Sequence, residues 1–173
     1  MALRVTALTP GFAAQVDGVD IARPVDDATW RKSARPSEEH SVLVFRGARL
    51  DDDTQVAFSR RFGALEVTKS INPTAGTPFA RQSNLDIKTG AVIPPDDRRM
   101  VYQLANMLWH SDSSFKPVPS LCSLLRHEWT EGDLVIWDNR CVLHRGTPYD
   151  STRHQRLLQR TTISGDPAEF ATR

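Results

Sequence analysis

The chain has 173 residues, 39% of them hydrophobic and 25% charged, with 22 Lys and Arg against 21 Asp and Glu, for a formal net charge of +1. That is one globular domain with a real core, and the near-neutral balance argues against a nucleic-acid binder or a polybasic membrane surface. No apolar run approaches the ~18 residues of a membrane span, the first dozen residues lack the pattern of a secretory signal, and Cys122 and Cys141 are too few for a disulfide framework, so a reducing cytoplasm is expected.

In chain order, Arg4 to Leu8 alternates loosely and reads as a strand, and Gly11 to Asp20 reads as turns. Asp26 and Asp27 are good N-caps for a helix running to Ala34 and stopped by Pro36. Ser41 to Phe45 is a β-rich apolar run ended by Gly47, and Asp51 to Asp53 cap a second helix over Thr54 to Phe62. Phe58 and Phe62 share one face of that helix, four residues apart. Residues 66 to 100 read as irregular. Strand patterns follow at Leu121–Leu125, Asp133–Trp137, Cys141–His144 and Gln155–Ile163. Helices first and strands after predict an α+β chain built on a sheet or barrel.

Three signals carry chemistry. In Trp109-His-Ser-Asp112, His110 and Asp112 are two residues apart, so an extended segment points both to one side. A His/carboxylate pair suits a divalent transition metal, although a histidine bonded to a nearby Asp in a loop gives the same pattern. Second, a strand over Leu134–Trp137 feeds the Asp138-Asn139 turn and a second short strand delivers His144, and one more histidine would complete a 2-His-1-carboxylate triad with open positions. His40, His127 and His154 are also available, so histidine count decides nothing. Third, Arg156, Leu158 and Arg160 fall on one face of a regular strand. Two guanidinium forks there suit carboxylates, while a solvated basic edge strand is the plain alternative.

Taken in order, these motifs resemble the Fe(II)/2-oxoglutarate-dependent dioxygenases of the taurine dioxygenase group, and within it the 2,4-dichlorophenoxyacetate and phenoxypropionate enzymes. The likeness runs over nearly the whole chain. It is carried by Gly18-Val-Asp-Ile21, Ser41-Val-Leu-Val-Phe-Arg-Gly47, Phe58-Ser-Arg-Arg-Phe-Gly63, Trp109-His-Ser-Asp-Ser-Ser-Phe115, Trp137-Asp-Asn-Arg140 and His144-Arg-Gly146. The resemblance implies one dioxygenase domain over residues 1–173, with a double-stranded β-helix (jelly-roll) core and flanking helices. It implies His110, Asp112 and His144 as iron ligands and Arg156 as the partner of the distal carboxylate of 2-oxoglutarate. It places Arg160, Asn106, Lys69 and the Ser113 amide at the substrate, with a solvated loop lysine as the alternative for Lys69. Trp109 and Trp137 are expected in the core.

The cofactor implied is Fe(II), with 2-oxoglutarate as cosubstrate. The partners implied are O2 and a small anionic organic substrate in a homo-oligomer, with no nucleic acid or membrane. The expected reaction hydroxylates an aryloxyalkanoate, as in herbicide degradation. The product collapses to a phenol and an oxo acid, with release of succinate and CO2. A sulfonate or alkyl-sulfate oxygenase of the same group, or a barrel that binds a metal or carboxylate without turnover, are the alternatives.

One departure stands out. Only 34 positions separate His110 from His144, where the family has further strands, a lid, and a threonine that shares the 2-oxoglutarate carboxylate. The junction lies at Leu125/Arg126. Two explanations stand. Residues are omitted there with the numbering closed up, which is preferred, or the chain is truly shortened, leaving an incomplete β-helix with exposed edges.

Overall fold

A computed structural model describes residues 2–34, 36–69, 74–127 and 132–170. Its frame is a seven-stranded sheet. Strands β1 (Arg4–Thr9) and β2 (Ala13–Asp17) form an antiparallel hairpin. The second lies in a stretch expected to be turns, because Ala-Ala-Gln-Val-Asp carries only a weak alternation. What holds it is burial of Ala14 and Val16 and parallel pairing with β3 (Val42–Phe45). The remaining strands are β4 (Phe79–Ser83), β5 (Ser120–His127), β6 (Asp133–Asp138) and β7 (Leu157–Ser164). Their order across the sheet is β1-β2-β3-β6-β5-β7-β4, antiparallel everywhere except between β2 and β3.

Helix α1 (Asp27–Ala34) begins where the sequence predicts, with Asp26 accepting from the amides of Ala28 at 3.0 Å and Thr29 at 2.9 Å. Helix α1 ends at Ala34, as expected, and Pro36 does not prevent a separate helical segment after it. The proline opens a short turn of helix, α2 (Pro36–Glu39), since a missing N–H costs nothing at a first helical position. Helix α3 (Asp52–Ser59) starts with a reciprocal capping box between Asp51 and Thr54, but ends three residues before Phe62. Helices α4 (Arg98–Gln103) and α5 (Pro167–Phe170), and a 3-10 turn over Leu104–Met107, complete the chain.

Alternation along the strands splits the sheet into two faces. Leu43, Phe45, Cys122, Leu124, Leu134, Ile136 and Ile163 point one way into the main core, with Trp30, Phe58 and Phe62 packed against it. Trp30 meets Phe58 and Phe62 edge-on at centroid distances of 5.4 and 4.6 Å, and Phe58 meets Phe62 at 5.8 Å. Such aromatic contacts add about 0.5–1.5 kcal/mol each beyond burial. Val42, Val44, Leu125, Val135 and Trp137 point the other way and form a smaller cluster with Val142.

The junction at Leu125/Arg126 lies inside β5, with Leu125 opposite Val135 and Arg160, and Arg126 opposite Leu134 and Gln159. The pairing has a topological meaning. β5 and β6 are antiparallel neighbours, from His127 opposite Asp133 to Cys122 opposite Asp138. Antiparallel neighbours of this kind need only a short connection. At the start of β6, Gly132 has φ of +88°, and a Cβ there would lie 2.8 Å from Arg49 Cγ and 3.0 Å from Arg49 N. Asp133 is fully buried and accepts from Arg46 Nη1 at 2.5 Å and the Gly47 amide at 3.0 Å. Those contacts explain the Gly-Asp pair at that point in the chain.

Candidate functional site

Over the second face of the sheet, His110 and His144 exchange backbone hydrogen bonds of 3.0 and 2.9 Å in an isolated antiparallel bridge. Among the described residues that bridge is all of the opposing sheet at this point. The strand expected over Cys141–His144 is absent because Cys141 and Val142 turn back, their amides donating to Asp138 O at 3.4 and 3.2 Å. The bridge brings the two imidazoles to a centroid distance of 4.4 Å. The chain turns directly after His110, and Asp112 swings beneath both rings. Its Oδ1 is 3.7 Å from His110 Nε2 and 3.6 Å from His144 Nε2. The donor atoms of all three side chains lie within 4.8 Å of one another.

The donor set fits a divalent metal. His110 Nδ1 lies 2.7 Å from Leu108 O, which can only accept, so this nitrogen carries the proton and Nε2 keeps its lone pair for coordination. Asp112 is 4% exposed, a carboxylate held out of water between two imidazoles. Burial alone would raise its pKa, but Arg160, His144 and Ser123 outweigh that and bring the carboxyl down to about 2. It is therefore a full anion at neutral pH, as a metal ligand must be.

The triad opens onto a cavity of about 560 Å³. Val42, Leu125, Val135, Trp137 and Val142 form an apolar wall, and Asn106, Arg156 and Arg160 bring the polar groups. The Arg156 guanidinium lies over the Tyr149 ring at 5.0 Å and has no carboxylate partner among the described residues. Burial lowers its pKa somewhat, but a guanidinium stays charged. It is a desolvated cation facing a cavity. Arg160 lines the same cavity, with Nη1 at 2.5 Å from Asp112 Oδ1 and a buried Nε that has no hydrogen-bond partner among the described residues.

The other predicted residues are placed less evenly. Asn106 lines the cavity and accepts the Gly146 amide at 2.7 Å through its carbonyl. Lys69 is exposed and Ser113 half-buried, and neither lines the cavity. Ser113 has φ of +53°, and its hydroxyl donates to Glu66 Oε2 at 2.7 Å, beside Lys116 Nζ at 2.6 Å. Trp137 is buried as expected, but Trp109 is 63% exposed, with Arg145 over its ring at 4.9 Å. It adjoins His110 in an extended segment, so it points to the opposite side, toward solvent. Ser123 and Asn139 were not expected in the site, yet both stand behind Asp112. Asn139 sits inside the Trp-Asp-Asn-Arg motif, which carried the only signal for it.

Comparisons with known proteins agree with this arrangement. The model of the "Taurine catabolism dioxygenase TauD, TfdA family" matches residues 4–126 and 123–162, two blocks that meet inside β5. The 2,4-dichlorophenoxyacetate dioxygenase of Cupriavidus pinatubonensis is 25% identical over 283 residues, covering 94% of this chain and 98% of that protein. An alignment of that length against a 173-residue chain leaves more than a hundred positions without a counterpart here. The (S)-phenoxypropionate dioxygenase of Delftia acidovorans is 31% identical over 120 residues, covering 67% of this chain and 38% of that one. Among solved structures, AAD-2 in complex with Mn(II) and N-oxalylglycine superposes with a TM-score of 0.84 at 21% identity, over 95% of this chain and 98% of that one. At that identity the superposition speaks for the jelly-roll fold alone. Matched along most of its length, the chain belongs to the taurine catabolism dioxygenase TauD, TfdA family and is a non-haem iron dioxygenase that uses Fe(II), 2-oxoglutarate and O2 on a small molecule.

Proposed function

We propose that residues 1–173 form one catalytic domain that hydroxylates an aryloxyalkanoate. The observation that carries this reading is a three-donor cluster and an unpaired guanidinium facing one cavity with an apolar wall. His110, Asp112 and His144 hold the metal on one side. Bound Fe(II) supplies O2 activation coupled to oxidative decarboxylation of 2-oxoglutarate to succinate and CO2, with insertion of one oxygen atom into a substrate C–H bond. Arg156 pairs with the distal carboxylate of 2-oxoglutarate and fixes its orientation. Arg160 and Asn106 face the anionic end of the substrate, and Val42, Leu125 and Val135 hold its aryl ring and exclude water. Hydroxylation at the carbon beside the ether oxygen gives a hemiacetal, which breaks its C–O bond to a phenol and an oxo acid. Lys69 and the Ser113 amide belong to this reading only if substrate binding draws their loops toward the cavity. The reading carries with it a cytoplasmic homo-oligomer whose partners include neither nucleic acid nor membrane.

The first test is anaerobic titration of Fe(II) and 2-oxoglutarate into the apoprotein, watching for the visible charge-transfer band of the chelate. A band that disappears in His110→Ala supports the metal assignment, and no band in the parent chain overturns it. Oxygen uptake and succinate release with phenoxyacetate, an alkyl sulfate and taurine then identify the substrate class. The names of relatives such as the alkylsulfatase of Acinetobacter baylyi make the sulfate arm a real competitor. Turnover confined to the alkyl sulfate would replace the aryloxyalkanoate reading.

A further inference from the structure

A buried relay runs into the far side of the Asp112 carboxylate, and its hydrogen-bond polarity can be read link by link. Trp137 Nε1 lies 2.9 Å from Asn139 Oδ1, and an indole nitrogen only donates, so the Asn139 amide has one orientation. Its Nδ2 therefore donates to Ser123 Oγ at 2.9 Å. The Ser123 proton then goes to the acceptor that remains, Asp112 Oδ2, at 2.7 Å. The backbone around the relay is pinned as well. Ser120 Oγ donates to Asp112 O at 2.6 Å, Ser111 Oγ donates to Asn139 O at 2.6 Å, and the Asp112 amide approaches Asn139 Oδ1 at 3.4 Å. Asp112, Ser123, Trp137 and Asn139 are all buried, so no water competes for these bonds.

We propose that Ser123, oriented by Asn139 and Trp137, is a positioning residue that makes Asp112 a one-oxygen metal ligand. Its hydroxyl occupies Oδ2, so that Oδ1, which also accepts from Arg160 Nη1, is the oxygen turned toward His110 and His144. A carboxylate without that restraint can rotate and offer both oxygens, which takes up a coordination position that 2-oxoglutarate or O2 needs. The proposal rests on the reading of His110, Asp112 and His144 as the metal site.

The test titrates Co(II) into the full chain and follows its visible d–d absorption, with Ser123→Ala, Ser123→Thr and Asp112→Ala beside the parent. Partners of this kind change metal affinity by roughly 10–100-fold. The expected result is a weakening of that size and an altered band in Ser123→Ala, with parent-like affinity and band in Ser123→Thr, which keeps the hydroxyl. Parent-like affinity and band in Ser123→Ala, while Asp112→Ala has lost binding, overturn the proposal alone. Equal loss in Ser123→Ala and Ser123→Thr also overturns it, since the packing and not the hydroxyl then matters. Parent-like binding in Asp112→Ala overturns the metal-site reading beneath it.

Discussion

The two faces of the sheet are built from the same strands and have different fates. On one, Leu43, Leu124, Leu134, Ile136 and Ile163 are sealed beneath the aromatic residues of α1, α3 and the turn after α3. On the other, Val42, Leu125, Val135 and Trp137 look into an open cavity, and among the described residues the pairing across it is the His110–His144 bridge. Around that opening Leu108, Trp109, Phe115 and Leu143 are more than half exposed. Strand parity thus separates the residues that stabilise from the residues that react.

The sharpest way to break this comparison is to remove a donor. His144→Ala is expected to abolish Fe(II)-dependent 2-oxoglutarate turnover and to lower the thermal transition only modestly, because the ring packs against Trp137 at a centroid distance of 4.7 Å but belongs to neither apolar cluster. A large fall in stability would show that the reactive face also holds the fold. Next, Arg156→Met should raise the KM for 2-oxoglutarate by about 10–100-fold, as loss of a charged hydrogen bond worth about 1.5–3 kcal/mol implies. Its kcat at saturation should change far less, and steady-state kinetics separates the two.

Changes on the packing side should move stability and not chemistry. Gly132→Ala forces a side chain into positive φ and into the Arg49 backbone, and should cost about 1–3 kcal/mol in chemical denaturation. Asp51→Ala removes the cap of α3 and should cost about 1 kcal/mol. The smallest effect is a single mass increment. Burial, with Asp138 nearby, pushes the Cys122 thiol up to about 12, whereas Cys141 is exposed. Native protein treated with iodoacetamide at pH 8 should therefore gain one carbamidomethyl group, at Cys141, and unfolded protein two.

Local chemistry made much of the molecule legible in advance. Asp26 and Asp51 cap where short acidic side chains can reach free amides, and Val42–Phe45 and Asp133–Asp138 declare themselves by β-branched and apolar runs. The spacing of His110 and Asp112 keeps the two donors close along the chain, but the turn after His110 and the bonds from Ser123 and Arg160 aim the Asp112 carboxylate. Where local signal is weak the prediction fails. Phe79–Ser83 has no alternation to read, and is a strand because β7 supplies its hydrogen bonds from Thr161 to Leu157. Trp109 is apolar yet exposed, because the residue next to it has to face inward.

Residue type and order along the chain were thus enough to name the family and, through the resemblance, to single out His110, Asp112, His144 and Arg156 as candidates. They did not place His144 against His110, because a single bridge between segments 34 residues apart leaves no periodic trace. Nor did they show that β5 and β6 are antiparallel neighbours, which depends on hydrogen bonds between the two strands. The polarity of the Trp137–Asn139–Ser123 relay also waited on the folded chain. A hydrogen bond between distant residues is a property of distance and direction, and only packing sets those.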